Sequence, residues 1–289
     1  MLRVRESPGR ERKSDMKRKW GMAVIAACML IGAVVGTAYG AEVLVGVDNT
    51  GDTVENFQEN SNNSGEITEN NTELTENGNG YTVGIDPGHQ GSWVDMSWQE
   101  PDGPGSSSYK AACTTGTQGS YTGAAEYELN LNISLALRTE LESRGYRVIM
   151  TREDNDTAIS NSERARLVAQ EGGDIYVRIH ANGSDDPSVS GALGMCPSPD
   201  NPYIPHLYGE SYRLTEQILT CYCAATGFSN LGVQYYDNMT GINWSSVPVT
   251  ILEMGFMTNE HDDYAMEDAA VQVQMVQGIA DGIDSYFGL

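Results

Sequence analysis

The chain has 289 residues, with 17 basic and 40 acidic side chains and a formal net charge of −23. From Tyr81 onward nine basic residues stand against 28 acidic ones, about −19 for that stretch alone. A surface of that sign repels phosphate backbones, which excludes nucleic acid as a partner.

Eight of the 17 basic residues lie in the first 19 positions, and Lys17, Arg18 and Lys19 precede an uncharged run from Trp20 to Ala41. A basic flank, an apolar stretch, and Ala38 and Gly40 at −3 and −1 of a cut after Gly40 are the marks of a secretory signal. Left uncleaved, the same run is long enough to anchor the chain in a membrane. Residues 1–40 are therefore expected to be a signal peptide or N-terminal anchor, for which Met16 is a more ordinary start than Met1. Residues 41–80 hold no basic and nine acidic side chains, with stretches such as Asn60–Asn71 that have almost nothing to bury. Such a composition cannot offset its ordering entropy, and a disordered acidic linker is expected.

From Tyr81 to Leu289 short apolar runs alternate with helical periods, the pattern of a single α/β domain. Strands are expected at Thr82–Asp86, Tyr146–Thr151, Asp174–His180, Gly191–Cys196, Leu231–Tyr235 and Pro248–Glu253. Helices are expected at Glu126–Arg144, Ser160–Gln170, Leu207–Thr226 and Ala265–Phe287. In the first helix Leu129, Ile133, Ala136, Leu137 and Leu141 make one apolar stripe. Gly145 follows where a left-handed residue closes a helix. Between strand and helix, Ser92–Ala125 is rich in Gly, Ser, Pro and Thr, and Pro101–Ser108 propagates no regular structure. A loop of that length inside a domain suggests one wall of a substrate groove.

Cys113, Cys196, Cys221 and Cys223 remain after Cys28 leaves with the signal. Four cysteines allow three full pairings, among which the sequence does not choose. Cys221 and Cys223, one residue apart on a helix, point to different faces, which disfavours a mutual bridge. No Cys-x-x-Cys pair suggests a structural zinc site.

In open α/β sheets ligands bind beyond the carboxyl ends of the strands. His89 follows the first strand, His180 ends the third and Glu253 ends the last, while Glu126 opens the first long helix near the same edge. Two imidazoles and one carboxylate make a catalytic zinc set with a free position for water, and the fourth group can then act as base. Each has a plainer reading: a loop histidine is ordinarily solvated, and Glu126 suits a helix N-terminus. Glu253, between apolar Val249–Leu252 and Met254–Met257, is expected to be at least partly buried and so to need a partner. His206 and His261 lack the strand-end placement. There is no His-Glu-x-x-His helix and no Gly-x-Ser-x-Gly elbow.

Five segments, Gly84-Ile-Asp-Pro-Gly-His-Gln-Gly91, Glu126-Tyr-Glu-Leu-Asn-Leu131, Arg147-Val-Ile-Met-Thr-Arg152, Ile179-His-Ala-Asn182 and Leu252-Glu-Met-Gly-Phe-Met-Thr-Asn259, occur in one order between Val83 and Phe287. In these the chain resembles the zinc-dependent N-acetylmuramoyl-L-alanine amidases of the bacterial cell-wall hydrolase type, the amidase type 3 family. The resemblance implies a mixed, mostly parallel twisted sheet of about six strands flanked by helices on both faces. It implies Zn2+ held by His89, Glu126 and His180, with Glu253 as the catalytic glutamate. The bond it implies joins N-acetylmuramic acid to L-alanine in peptidoglycan, in cell-wall remodelling or lysis, as in an autolysin. Gln90 stands where a second Gly is common, and Arg178 where Ser often precedes Ile-His-Ala-Asn.

A monomer is expected, secreted to the cell wall or the outer membrane face, touching the membrane only if the N-terminal segment stays. Asn130, one turn beyond Glu126, is placed to orient a ligand or support the loop, Arg164 to form a structural ion pair, and Asn182 to steady His180. Two alternatives are a related zinc peptidase acting on the stem peptide and a catalytically inactive wall-binding module.

Overall fold

The computed structural model describes residues 78–289. The segments read as signal or anchor and, up to residue 77, as linker lie outside the described residues, as does Cys28. Six strands, β1 (Thr82–Pro87), β4 (Arg147–Met150), β5 (Ile175–Asn182), β6 (Ala192–Cys196), β7 (Asn230–Tyr235) and β8 (Val249–Phe256), form one sheet. A separate hairpin supplies β2 (Gln99–Pro101) and β3 (Tyr109–Ala111). The main sheet runs β4-β1-β5-β8-β6-β7. Its first four strands are mutually parallel, and the β6–β7 pair runs antiparallel to β8. The sheet is thus mixed and mostly parallel.

Side chains alternate across a strand, so each strand feeds both layers. Val83, Ile85, Ile175, Val177, Ile179, Leu252 and Met254 pack on one face against helices α1 (Glu126–Ser143), α3 (Tyr208–Thr226) and α6 (Ala269–Phe287). Tyr176, Val249, Ile251, Leu193 and Met195 pack on the other against α2 (Asn161–Gln170) and the short α4 (Thr240–Asn243). Coverage of both faces explains why the central strands read as largely apolar runs, broken by Asp86 in β1 and Arg178 in β5.

Helix α1 buries Leu129, Ile133, Leu137 and Leu141, and Gly145 beyond it has φ of 87°. Ser160 and Glu163 form a reciprocal capping box that starts α2. The single helix expected over Ala265–Phe287 is two: α5 (Glu260–Met266) and α6, separated at Glu267 and Asp268. Each has its own start, because Asn259 accepts from His261 N and Asp262 N, and Asp268 from Ala270 N and Val271 N.

The segment expected to lack regular structure carries the β2–β3 hairpin, and tertiary bonds hold it in place. Glu100 Oε1 accepts from Ser162 N at 3.1 Å, and the Ala112 carbonyl from Asn161 N at 2.8 Å. The Pro101 carbonyl accepts from Trp244 Nε1 at 3.0 Å, and that of Asp102 from Asn243 Nδ2 at 2.8 Å. Cys113, Cys196, Cys221 and Cys223 are all free thiols. Among the described residues no helix is long and apolar enough to cross a membrane.

Candidate metal centre

Asp86 is a buried acid in an otherwise apolar strand, and the site is built above it. Its carboxylate accepts from Arg164 Nη1 and Arg178 Nε, each at 2.7 Å, from Tyr176 Oη at 2.9 Å and from Thr151 Oγ1 at 2.5 Å. Burial opposes that charge, yet the two guanidiniums outweigh it and hold Asp86 well below the usual carboxylate range. Arg164, expected as a structural ion pair, is one. It also reaches past Asp86 to the carbonyls of Pro87 and His89 at 2.8 and 2.9 Å. Arg152 donates to the carbonyls of Pro87, Gly88 and Tyr127. Two buried arginines thus grip the turn Pro87–His89 from beneath. His89 has φ of 65°, the sole positive value at a non-glycine among the described residues. Such a conformation costs of order 1–3 kcal/mol and persists where its surroundings dictate it, as these carbonyl contacts do.

Strand register brings the remaining groups to that turn. Gly88 N donates to the Ile179 carbonyl at 2.9 Å, and His180 on β5 is the partner of Glu253 on β8. A Cβ on Gly88 would lie 2.2–2.5 Å from the His180 ring, so only glycine admits the imidazole here. Glu126, the first residue of α1, is buried, and its carboxylate accepts from Thr117 N at 2.8 Å and Ala181 N at 3.2 Å.

His89 Nε2, His180 Nδ1 and Glu126 Oε1 form a nearly equilateral triangle: 3.1 Å between the imidazoles, 3.1 Å from His89 to Glu126 and 3.2 Å from His180 to Glu126. These three residues form the only such group of candidate metal-holding side chains among the described residues. A tetrahedral zinc with bonds of ~2.0–2.1 Å sets its donors ~3.3–3.4 Å apart, close to these separations. His89 Nδ1 faces the Thr114 carbonyl at 2.9 Å, a contact that leaves the Nε2 lone pair for the centre. Asn130 does both things considered for it: Nδ2 donates to Glu126 Oε1 at 3.2 Å and to the Gly88 carbonyl at 3.3 Å. Asn182 does not steady His180; its Oδ1 accepts from Gly183 N at 2.8 Å, and the residue lines the cleft.

The charges are those of a site made for a cation. Burial disfavours a charged His89, but the adjacent Glu126 carboxylate outweighs it and raises His89 to about 10. Burial likewise opposes ionisation of Glu126, yet the imidazoles hold it well below its usual range. His180, where burial dominates, is lowered to about 4. Glu253 is raised to about 8 by burial and then by the charge of Glu126. It is half-buried as a residue, but its Oε2 is sealed from solvent without a partner, as is His180 Nε2. Orphaned buried polar atoms are costly, and the Glu253 oxygen beside three converged donors fits a group that meets a ligand of a bound cation.

Two cavities meet at this point. The outer one, about 530 Å³, is lined by Thr117, Asn182, Ser184, Asp185 and Thr258 besides the four site residues. The inner one, about 290 Å³, shares His89, His180 and Glu253 and is walled by Lys110, Ala111 and Thr114 of the long insertion. The insertion does form a wall of the cleft. Thr114, the turn-gripping Arg152 and the lining Lys110 were not identified as site residues from sequence. His206 is exposed and His261 lies 79 % exposed beside Asp262, both outside the cluster.

Fold and cluster together define an α/β protein with a candidate two-histidine, one-carboxylate metal centre and a glutamate poised beside it. A family model described as N-acetylmuramoyl-L-alanine amidase matches residues 83–285, and the chain belongs to that family. It is 31% identical over 167 residues to the N-acetylmuramoyl-L-alanine amidase LytC of Bacillus subtilis (strain 168), 57% of this chain and 32% of LytC. It is 28% identical over 209 residues to the probable cell wall amidase LytH of Staphylococcus aureus, 72% of this chain and 59% of LytH. The chain therefore spans about a third and about three-fifths of these two curated relatives. Among solved structures, the apo N-acetylmuramyl-L-alanine amidase Ami1 from Mycobacterium abscessus aligns with a TM-score of 0.65 at 28% identity, covering 72% of this chain and 99% of that one. The Ami1 amidase from Mycobacterium smegmatis has the same fold, with a TM-score of 0.66 at 24% identity.

Proposed function

We propose that the chain is a zinc-dependent N-acetylmuramoyl-L-alanine amidase that hydrolyses the amide joining N-acetylmuramic acid to L-alanine in peptidoglycan. The observation that carries this reading is the 3.1–3.2 Å triangle of His89, Glu126 and His180 with the unpaired Glu253 carboxylate beside it. Family membership supports the choice of bond.

In this reading His89 Nε2, Glu126 Oε1 and His180 Nδ1 hold zinc. When bound, zinc supplies Lewis acidity, polarising the scissile carbonyl and allowing water to ionise near pH ~7. Glu253 takes a proton from the attacking water. The water oxygen bonds to the carbonyl carbon, the C–N bond breaks, and Glu253 returns the proton to the departing alanine nitrogen. Glu253, partnered to His180 across the strands and with Oε2 free of any hydrogen bond, is placed to do both. Thr114 and Asn130 fix the orientation of His89 and Glu126, while Arg152 and Arg164 fix the turn.

Residues 1–40 serve in this reading as an export signal or anchor and 41–80 as a spacer, which delivers the domain at 81–289 to the wall outside the cytoplasmic membrane. The test is digestion of purified peptidoglycan by the full chain, with and without a chelator, followed by product masses. Release of intact stem peptides beginning with L-alanine, lost on chelation and restored by zinc, is the expected result. Products cut inside the stem indicate a peptidase instead, and no soluble product with full zinc loading indicates a wall-binding module.

A further inference from the structure

The two arms of the cleft differ in shape and in charge. The outer arm is open, and a further groove of about 900 Å³ beside Tyr121 and Tyr264 is lined by Pro187 and Asn259, close in sequence to its Asp185 and Thr258. Besides Glu126 and Glu253 of the centre, the acidic residues on this side are Asp185, Glu260 and Asp268, with no lysine or arginine among the lining. The inner arm is smaller, about 290 Å³ between the β3 end of the insertion and α4, and Glu253 is the only carboxylate lining it. Lys110 stands in its wall, and Arg178 lines it as well.

Arg178 belongs to a buried group of three arginines, with Arg152 and Arg164, around one buried acid, Asp86. Glu126 is buried beside them as well, so the cations that face the inner arm itself are Arg178 and Lys110, in a domain whose charge is strongly negative. Lys110 is the sole lysine from residue 78 to the end of the chain. No ion pair involves it among the described residues, whereas Arg138, Arg144, Arg147 and Arg213 all face carboxylates. Its ammonium donates to the Asn238 carbonyl across the cavity rim. An ammonium carries three N–H groups, so two remain for a ligand.

We propose that the inner arm is a carboxylate-recognising subsite and that Lys110 is its anchor and a specificity-determining residue. The inference rests on the amidase reading and assigns the leaving peptide to this arm. A glycan strand continues past the cut in both directions and needs the larger, more open arm, whereas the peptide that departs with the proton from Glu253 fits the smaller one. The group recognised is a free carboxylate of the leaving peptide, in preference to its amidated form, and the α-carboxyl of the second stem residue serves as its probe. A charge-assisted hydrogen bond discriminates these two, because an amide offers Lys110 no negative charge.

The test uses the full chain loaded with zinc and two glycan fragments that differ only in a free or amidated α-carboxyl on the second stem residue. Wild type is expected to favour the free acid. In Lys110→Ala the ratio of kcat/KM for free over amidated substrate falls about tenfold, through KM. Lys110→Arg keeps the charge and recovers most of the ratio. A ratio unchanged in Lys110→Ala, or equal losses on both fragments, overturns the assignment and identifies Lys110 as a structural strut to Asn238. Failure of the wild type to cut either fragment instead sinks the amidase reading, and this inference with it.

Discussion

Replacing Arg164 by leucine removes a guanidinium that has no solvent exposure and that donates to Asp86, to Gln90 Oε1 and to the carbonyls of Pro87, His89 and Ile159. Breaking a buried ion pair from one side costs ~3–5 kcal/mol. The low end applies, because Asp86 keeps Arg178, Tyr176 and Thr151. Loss of the donor to the His89 carbonyl adds ~1 kcal/mol. Together about 4 kcal/mol is expected, a Tm drop of about 10 °C for a domain of this size. The turn that holds His89 at φ of 65° loses one of its two clamps, so zinc should also bind ~10–100-fold more weakly, as it does when partners behind the ligands are removed. Thermal and denaturant unfolding of the metal-free protein give the first quantity and competitive zinc titration the second. A destabilisation under ~1 kcal/mol would refute the account of the buried charge group. An unchanged zinc affinity would refute the account of the turn.

Glu253→Gln should retain stoichiometric zinc while stem-peptide release falls at least ~10³-fold, since the amide cannot carry the proton; wall digestion with metal analysis reads both. Gly88→Ala should lower zinc affinity with little loss of helix or sheet signal by circular dichroism, because the added methyl collides with the His180 ring; unchanged affinity contradicts the close approach. Asp86 has a folded pKa below its unfolded value near ~3.9. Its contribution is therefore present above that value and lost as pH falls below it. Denaturant unfolding between pH ~5 and ~2 should show a shallower acid loss in Asp86→Asn than in wild type, from a lower starting stability, and parallel curves would remove Asp86 from the explanation.

The strand ends carrying His89, His180 and Glu253 were legible because apolar runs of strand length stop abruptly at a polar residue. The helix stripe with Gly145 set α1, and hence Glu126, against the same edge. What escaped the pattern is held by distant partners. The β2 and β3 strands are three residues each and depend on Ser162, Asn161 and Trp244, far along the chain. The break between α5 and α6 was locally encoded, in Asp268 as a cap, but was masked by helical spacing on both sides. Arg152 and Arg178 look in sequence like surface charges, and only burial beside Asp86 makes them the footing of the site. An acid within the apolar run Val83–Pro87 was the available signal for that footing.

Strand β8 lies between β5 and β6 in space but follows both in the chain. The candidate metal ligands are all in hand by residue 180, while the glutamate beside them arrives at 253. A polypeptide that stops short of β8 lacks Glu253, and it leaves β5 and β6 without the strand that joins them, as two raw sheet edges. Completion of the middle of the sheet and delivery of Glu253 to the candidate centre are therefore one event.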